Sequence, residues 1–375
     1  MTSFIVIDRI RSLLLSISAA TQFLIYPFAF IFWYLLLQPL RLCLPGAYHR
    51  ALETFHAGYC HGLGSWTDLA GHRVFECGGE ALRKVLGDKK LFLINHQSVG
   101  DISVVLRALQ GVPAFHFSKV MWIMDWVMQF LPFGFVCGRH GDFFILQPSD
   151  VRRYRPLFGE RLQRWKEEQS YQMEAVIKRN FNERNFRTLV IFPEGGLLGK
   201  RRASSQRYAS ANGHPHLERV TLPRVNGFLS VMNALGSEAA DERRFKWIVD
   251  VTIAYPEQFG LRQHFFRADG RSYDIVVNYR VFSCEELFDF SGESGEAVNE
   301  RMSKWIVRCF TEKEKLLEHF FDKGYFPSYE NGTQLVAGLD AKKLLLFHLW
   351  SISSLLFAIY LLRNLWFCGV CLCVA

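Results

Sequence analysis

Charge is scarce at both ends of this 375-residue chain. Between Leu13 and Leu44 the only charged residue is Arg41, and from Leu344 to Leu362 there is none. The first stretch exceeds the roughly 20 residues needed to span a bilayer, and the second is about one bilayer thickness long. A cleaved signal peptide is excluded for the first, because its apolar run would be shorter and would end in a small-residue cleavage site. Pro27 leaves two arrangements open: one long kinked helix, or two shorter helices dipping into a single leaflet. Trp33 and Tyr34 suit a headgroup interface. Lys342 and Lys343 precede the second stretch and Arg363 follows it. A monotopic hairpin is the other reading there.

Other features are also missing. No internal repeat or low-complexity segment occurs. No Gly-x-Ser-x-Gly elbow surrounds Ser98, so that serine is not read as a hydrolase nucleophile; helix capping suits it better. The nine cysteines mostly stand alone between apolar neighbours and read as buried free thiols. Cys368, Cys371 and Cys373 are close together, but they lack partner histidines and lie in an apolar tail. Reversible lipidation fits them better than zinc, and no metal site is expected. The basic residues between Arg152 and Arg187 are interspersed with Glu160, Glu167, Glu168, Glu174 and Glu183, as on a solvated helix. With no RNA- or DNA-binding signature present, nucleic acid is not an expected partner.

The remainder is apolar and basic. Hydrophobic residues make up 50% of the chain and the net charge is +8. With apolar ends, that charge favours an anionic membrane surface or a phosphorylated substrate. Candidate strands are Leu91–Asn95, Ala114–Phe117, Phe143–Leu146, Thr188–Phe192, Lys246–Ala254 and Ile275–Phe282, each short and rich in β-branched or aromatic residues. They alternate with helical stretches, which predicts an α/β fold: a mixed or mostly parallel sheet with surrounding helices. The expected organisation is a membrane-embedded segment over 1–50, an α/β domain over 51–335 and a C-terminal membrane helix over 336–375. The run Met121 to Leu131, dense in methionine and aromatics, is open between an acyl-chain tunnel, a membrane-resting surface and plain core. Asn331-Gly332-Thr333 matches a glycosylation acceptor.

Two strand ends carry chemistry. Leu91-Phe92-Leu93-Ile94 runs into Asn95-His96-Gln97-Ser98-Val99-Gly100-Asp101, and helix-forming residues follow. A loop turning back there can set the Asp101 carboxylate beside the His96 imidazole. Transfer of an acyl group to a hydroxyl needs this pair: a base near neutrality, and a carboxylate that fixes its tautomer and stabilises the imidazolium. Leu189-Val190-Ile191-Phe192 likewise leads into Pro193-Glu194-Gly195-Gly196, and Lys200, Arg201 and Arg202 come next. A glycine-rich turn beside guanidinium groups can hold a phosphate.

Taken together, Asn95-His96-x4-Asp101 and, about 90 residues on, Phe192-Pro193-Glu194-Gly195 resemble the glycerophospholipid acyltransferases of the PlsC type. The resemblance covers roughly residues 75–260. Gly141-Asp142-Phe143-Phe144-Ile145 and Val220-Thr221-Leu222-Pro223-Arg224 are similar to two further family blocks, and Lys119 with Pro132 and Gly134 to another stretch. Pro223-Arg224-x-x-Gly227-Phe228 and Asp250-Val251-Thr252-Ile253-Ala254-Tyr255 look like the branch of the lysocardiolipin and lysophosphatidylglycerol acyltransferases. Gln38-Pro39-Leu40-Arg41, His140 to Ile145 and Phe192 to Gly196 are most similar to the acyl-CoA:lysophosphatidylglycerol acyltransferases.

The resemblance implies an endoplasmic-reticulum membrane enzyme that passes an acyl group from acyl-CoA, a co-substrate, to a lysophospholipid such as lysophosphatidylglycerol or a lysophosphatidylethanolamine-like acceptor. It needs no bound cofactor. His96 would be the general base supported by Asp101, and Glu194, Gly195, Gly196, Lys200, Arg201, Arg202 and Lys119 would bind substrate. Lysophosphatidic acid, lysocardiolipin and monoacylglycerol are alternative acceptors. A thioesterase and an inert lipid-binding adaptor are alternative functions. Two departures stand out. Gln147 occupies a position where the family usually has the arginine thought to hold the acceptor's phosphate, with Arg152 or Arg139 as possible substitutes. Gly196 stands where Thr or Ser is usual.

Overall fold

The computed structural model describes residues 2–147, 151, 153, 156–157, 159–235, 244–256, 272–288, 294–327, 332–336 and 338–374. The chain opens with α1 (Thr2–Ala20), a π turn (Thr21–Ile25) and α2 (Tyr26–Leu36). Pro27 sits in the first turn of α2, directly after the π turn, and the helical path runs on through it. The π turn just before it absorbs the irregularity of the missing N–H. Next come α3 (Gln38–Cys43) and α4 (Pro45–Leu69), so the boundary expected after residue 50 falls inside a helix.

The α/β region runs β1 (Arg73–Cys77), α5 (Gly79–Lys84), β2 (Lys90–Ile94), α6 (Asp101–Gln110), β3 (Val120–Asp125), α7 (Pro132–His140), β4 (Phe143–Ile145), α8 (Glu160–Lys178), β5 (Thr188–Ile191), α9 (Leu198–Asn212), α10 (Val225–Asn233), β6 (Trp247–Ala254), β7 (Asp274–Ser283), α11 (Cys284–Phe288), α12 (Gly295–Lys323) and β8 (Gln334–Leu335). It is followed by α13 (Ala341–Val374). The sheet order is β4-β3-β5-β2-β6-β7-β1-β8. Five of its pairings are parallel; β6 with β7 and β1 with β8 are antiparallel. A mixed, mostly parallel sheet with surrounding helices is thus what the sequence led one to expect.

Alternation along the central strands builds two cores. Leu91 and Leu93 of β2 face a layer that includes Met173 and Ile177 of α8, Phe228 and Val231 of α10, and Ile306 and Phe310 of α12. Phe92 and Ile94 face the other way, onto Val104, Val105 and Ala108 of α6. A strand covered on both faces reads as a continuous apolar run, which is why Leu91–Ile94 of β2 and Leu189–Ile191 of β5 contain no polar residue.

One expected strand is wrong. Ala114–Phe117 is not extended: Ala114 has φ of 63° and Phe117–Lys119 is a short 3₁₀ turn. The strand starts at Val120, one residue before the methionine- and aromatic-rich run, and continues into it. Met121 packs into one core and Val120 and Trp122 into the other, so plain core is the right reading for that part of the run. Beyond it, Val127, Phe130 and Leu131 are exposed.

The two apolar helical rods, Arg9–Leu36 and Ala341–Asn364, are each long and apolar enough to cross a membrane. They pack on one another and on α4. The Tyr26 ring stacks on Tyr59 of α4 at 5.0 Å and lies 5.1 Å from Phe347 of α13, while Trp33 Nε1 donates to Ser354 Oγ at 2.9 Å. Most other large apolar side chains on these rods point outward, among them Leu13, Ile17, Phe28, Leu356 and Tyr360. Asn331 and the side chains of Cys368, Cys371 and Cys373 lie outside the described residues.

Candidate active site

The loop after β2 is pinned before it carries any chemistry. Asn95 is wholly buried; its Nδ2 donates to Ile253 C=O at 3.1 Å and its Oδ1 accepts from Ile253 N at 2.8 Å. This side chain continues the β2–β6 ladder by one residue and turns the next one, His96, out over the sheet's C-terminal edge. Such edges are where open α/β sheets place their ligands.

His96 Nδ1 lies 3.0 Å from Asp101 Oδ2. A carboxylate only accepts, so Nδ1 carries the proton and Nε2 keeps the unprotonated lone pair. The imidazole side chain is 18% exposed and Asp101 is fully enclosed. Phe192 packs on the ring with centroids 4.3 Å apart. Asp101 Oδ2 also accepts from Gln97 N at 2.7 Å and Ser98 N at 2.9 Å, and Oδ1 accepts from the Tyr255 hydroxyl. Burial and then the Asp101 charge push the Tyr255 phenol well above its ordinary range, so it stays a donor. Asp101 is the first residue of α6, where a negative charge is favoured by the helix dipole.

Ser98 does not cap α6. Its Oγ accepts from Gly100 N at 3.1 Å, and its own N–H is held by Asp101. The amides of Gln97 and Ser98 are therefore already engaged by Asp101 and do not serve an oxyanion.

Glu194, expected to bind substrate, is placed beneath the loop surface. It is 1% exposed and faces inward. Oε1 accepts from His96 N at 2.6 Å; Oε2 accepts from Thr221 N at 2.7 Å and Thr221 Oγ1 at 2.9 Å. Leu198 N donates to His96 C=O at 2.8 Å, and Arg224 N to Pro193 C=O at 2.7 Å. Glu194 thus fastens three loops (95–101, 192–198 and 220–224) around His96. Burial pushes its carboxyl up to about 7, against the pull of the His96 and Thr221 donors.

The remaining expected binding residues divide. Gly195 and Gly196 turn at the rim with φ of 69° and 150°. Lys200, Arg201 and Arg202 are not a loop but the opening of α9. Arg201 is half-buried against Gly196, and Lys200 and Arg202 are exposed. Lys119 is not brought here at all. It precedes β3, level with the starts of β2 and β5, at the opposite end of the parallel strands from His96. There its Nζ pairs with Glu53 at 2.6 Å and donates to Arg184 C=O at 3.0 Å. Arg139 lies over the Tyr34 and Phe135 rings, 5.0 Å from each centroid, and Arg152 is outside the described residues. Sequence reasoning gave no role to Tyr255, Thr221 and Arg224, though all three lie within stretches it had marked, and it noted Gln147 only as a departure from the family's arginine.

Among the described residues, one group has the donors to hold a metal: His56, Cys137 and Asp142, whose ligand atoms lie within 4.8 Å of one another. All three are buried between α4, α7 and β4, and Asp142 Oδ1 is already bonded to Trp122 N at 2.7 Å. The group does not touch His96, and hydroxyl-to-thioester chemistry does not require it.

No protein-family model matches the chain. It is 30% identical over 337 residues to the human protein named acyl-CoA:lysophosphatidylglycerol acyltransferase 1, covering 86% of this chain and 84% of that one. It is 30% identical over 363 residues to the mouse protein of the same name, covering 90% and 88%. Among solved structures, the 1-acyl-sn-glycerophosphate (LPA) acyltransferase PlsC from Thermotoga maritima aligns over 81% of this chain and 97% of its own, with a TM-score of 0.36 and 11% identity.

Proposed function

Because this chain belongs to the lysophospholipid acyltransferase family that includes the acyl-CoA:lysophosphatidylglycerol acyltransferases, we propose that it moves an acyl group from acyl-CoA directly onto a lysophospholipid hydroxyl at a membrane surface, with His96 as general base. Lysophosphatidylglycerol or a lysophosphatidylethanolamine-like lipid is the acceptor, and the endoplasmic reticulum is the membrane.

The observation that carries this reading is the 3.0 Å contact between His96 Nδ1 and a carboxylate saturated with donors. The acceptor oxygen attacks the thioester carbonyl while Nε2 takes its proton. Asp101 keeps Nε2 unprotonated beforehand and stabilises the imidazolium afterwards. Collapse of the tetrahedral intermediate breaks the carbon–sulfur bond, and the imidazolium returns the proton to the leaving coenzyme A sulfur. No enzyme nucleophile enters, which agrees with Ser98 being committed to Gly100. Direct transfer needs no metal or bound cofactor.

The apolar rods support a membrane location. Arg9–Leu36 and Ala341–Asn364 pack against α4, and α4 in turn packs against α6, whose first residue is Asp101. The test is a purified full-length preparation given radiolabelled acyl-CoA and a panel of lysolipids. Label in diacyl lipid is the expected result. Label in free fatty acid would make the protein a thioesterase, and no product would make it an adaptor.

A further inference from the structure

We propose that His56, Cys137 and Asp142 bind a structural zinc ion that fastens α4 to the α7–β4 corner of the sheet.

The fold gathers the three donors from two places. His56 lies in the middle of α4. Cys137 and Asp142 flank the end of α7, where Gly141, with φ of 122°, turns the chain back so that Asp142 N bonds to Cys137 C=O at 3.0 Å. The ligand atoms of the three lie within 4.8 Å of one another, and all three residues are buried.

Two enclosed atoms of this cluster have no hydrogen-bond partner: Asp142 Oδ2 and His140 Nδ1. Oδ2 stands 3.3 Å from His56 Nε2 with no hydrogen bond to it. Two zinc ligands with bonds of roughly 2.0–2.2 Å at the tetrahedral angle are separated by about 3.3–3.5 Å. The pair therefore has the spacing of two ligands on one ion. His140 Nε2 lies 3.2 Å from Ser118 C=O, which can only accept, so Nε2 carries the proton and Nδ1 keeps a lone pair. That lone pair is 3.7 Å from Asp142 Oδ1. A cation on the same carboxylate relieves the repulsion between them.

The surroundings suit a metal. Asp142 Oδ1 accepts from Trp122 N at 2.7 Å, which orients the carboxylate and leaves Oδ2 for the ion. Cys60, one turn along α4 from His56, has its Sγ 3.9 Å from Nε2 and is placed to close the fourth position. A thiolate, a carboxylate and a neutral imidazole balance zinc's two charges, so the buried unit is neutral; binding releases the Cys137 thiol proton to solvent. Sulfur and imidazole donors exclude magnesium and calcium, which take oxygen ligands. An enclosed mixed set of this kind matches a structural zinc. Tyr59 of α4 stacks on the Tyr26 ring of the first apolar rod, and β4 is an edge strand of the sheet. The ion thus joins the layer that carries the rods to the sheet.

The test is elemental analysis of the full-length protein, purified in detergent on a tag without histidine. About one zinc ion per chain is expected. Cys137→Ser and Asp142→Asn should fall below about a fifth of that. Changing Cys368, Cys371 and Cys373 together to serine should leave the zinc in place. Stripping the wild type with a chelator should lower Tm by about 5 °C or more, and zinc alone should restore it. Where a variant fails to fold, cobalt-exchanged protein with the three tail serines decides, because a thiolate ligand gives a sulfur-to-cobalt charge-transfer band. Less than about a fifth of an ion per chain after dialysis against zinc, or a Tm unmoved by the chelator, would leave a plain His56–Asp142 ion pair and overturn the proposal. So would zinc that stays in folded Cys137→Ser and leaves with the tail cysteines, or a cobalt form without the charge-transfer band. None of these readouts depends on lipid turnover.

Discussion

The Tyr255 hydroxyl donates to the one oxygen of Asp101 that His96 does not use. These two residues lie 154 positions apart, at the end of β6 and the start of α6, and both are fully enclosed. Asp101 thus has every lone-pair direction toward the site committed, which fixes the rotamer that faces the imidazole.

Removing that hydroxyl with Tyr255→Phe leaves a buried carboxylate oxygen short of a donor, a loss of about 1–3 kcal/mol. The expected result is a fall in kcat of about 3- to 30-fold with both KM values unchanged. Combined with His96→Ala it should add nothing, since Tyr255 acts through Asp101. Steady-state kinetics on the single and double variants check this, and independent multiplicative losses would give Tyr255 another role.

Asp101→Asn changes both the charge and the donor pattern. The carboxylate now accepts from Gln97, Ser98, His96 and Tyr255. An amide must point its NH₂ at some of these donors and favours the wrong histidine tautomer. The matching change in a Ser-His-Asp triad drops kcat about 10⁴-fold. A loss of at least about 100-fold is expected here, with acyl-CoA binding retained in a titration of the purified variant.

Glu194 makes a prediction about pH. Its carboxyl is raised from an ordinary 4.5 to about 7 by burial. A raised folded-state value means the folded protein binds the proton more tightly than the unfolded chain. The stability this contributes is full below about 4.5 and is lost as pH rises through about 7. Glu194→Gln cannot ionise and should lack that slope. Melting curves between pH 4.5 and 8 should show wild type losing ground to Glu194→Gln over that window. Parallel curves would contradict the buried, acid-stabilised assignment.

Lys313 is enclosed beneath β2 and β6, where it pairs with Asp250 and donates to Leu93 C=O at 3.2 Å and Val251 C=O at 2.6 Å. Asp250 is shared with Arg280 on β7. Lys313→Ala leaves part of this buried charge unbalanced, and removing one partner of a buried pair costs about 3–5 kcal/mol. Denaturant unfolding should show that loss, and a change under about 1 kcal/mol would contradict it.

Much of this was legible in sequence where the signal is local. The strands at β2 and β5 are mainly apolar runs ended by turn residues, β6 and β7 are rich in β-branched and aromatic residues, and His96 and Asp101 belong to one loop. What spans the chain was not legible. Tyr255 reaches Asp101 only because β6 lies beside β2. Glu194 reads as a rim acid because its sequence neighbours are glycines, yet the Thr221 segment folds over it. β3 was misplaced because a strand buried on both faces looks like any dense apolar run. Lys119 was grouped with the site by motif, but it precedes β3 at the far end of the sheet.

The central claim is that His96 is the base for direct transfer. Its most direct test is the rate of diacyl product formation by purified His96→Ala, at saturating acyl-CoA and lysophospholipid, with folding checked by circular dichroism. General-base catalysis is worth roughly 10²–10⁴-fold, so a loss of at least about 100-fold with unchanged acyl-CoA affinity is predicted. A folded variant that keeps more than about a tenth of the wild-type rate would contradict the account.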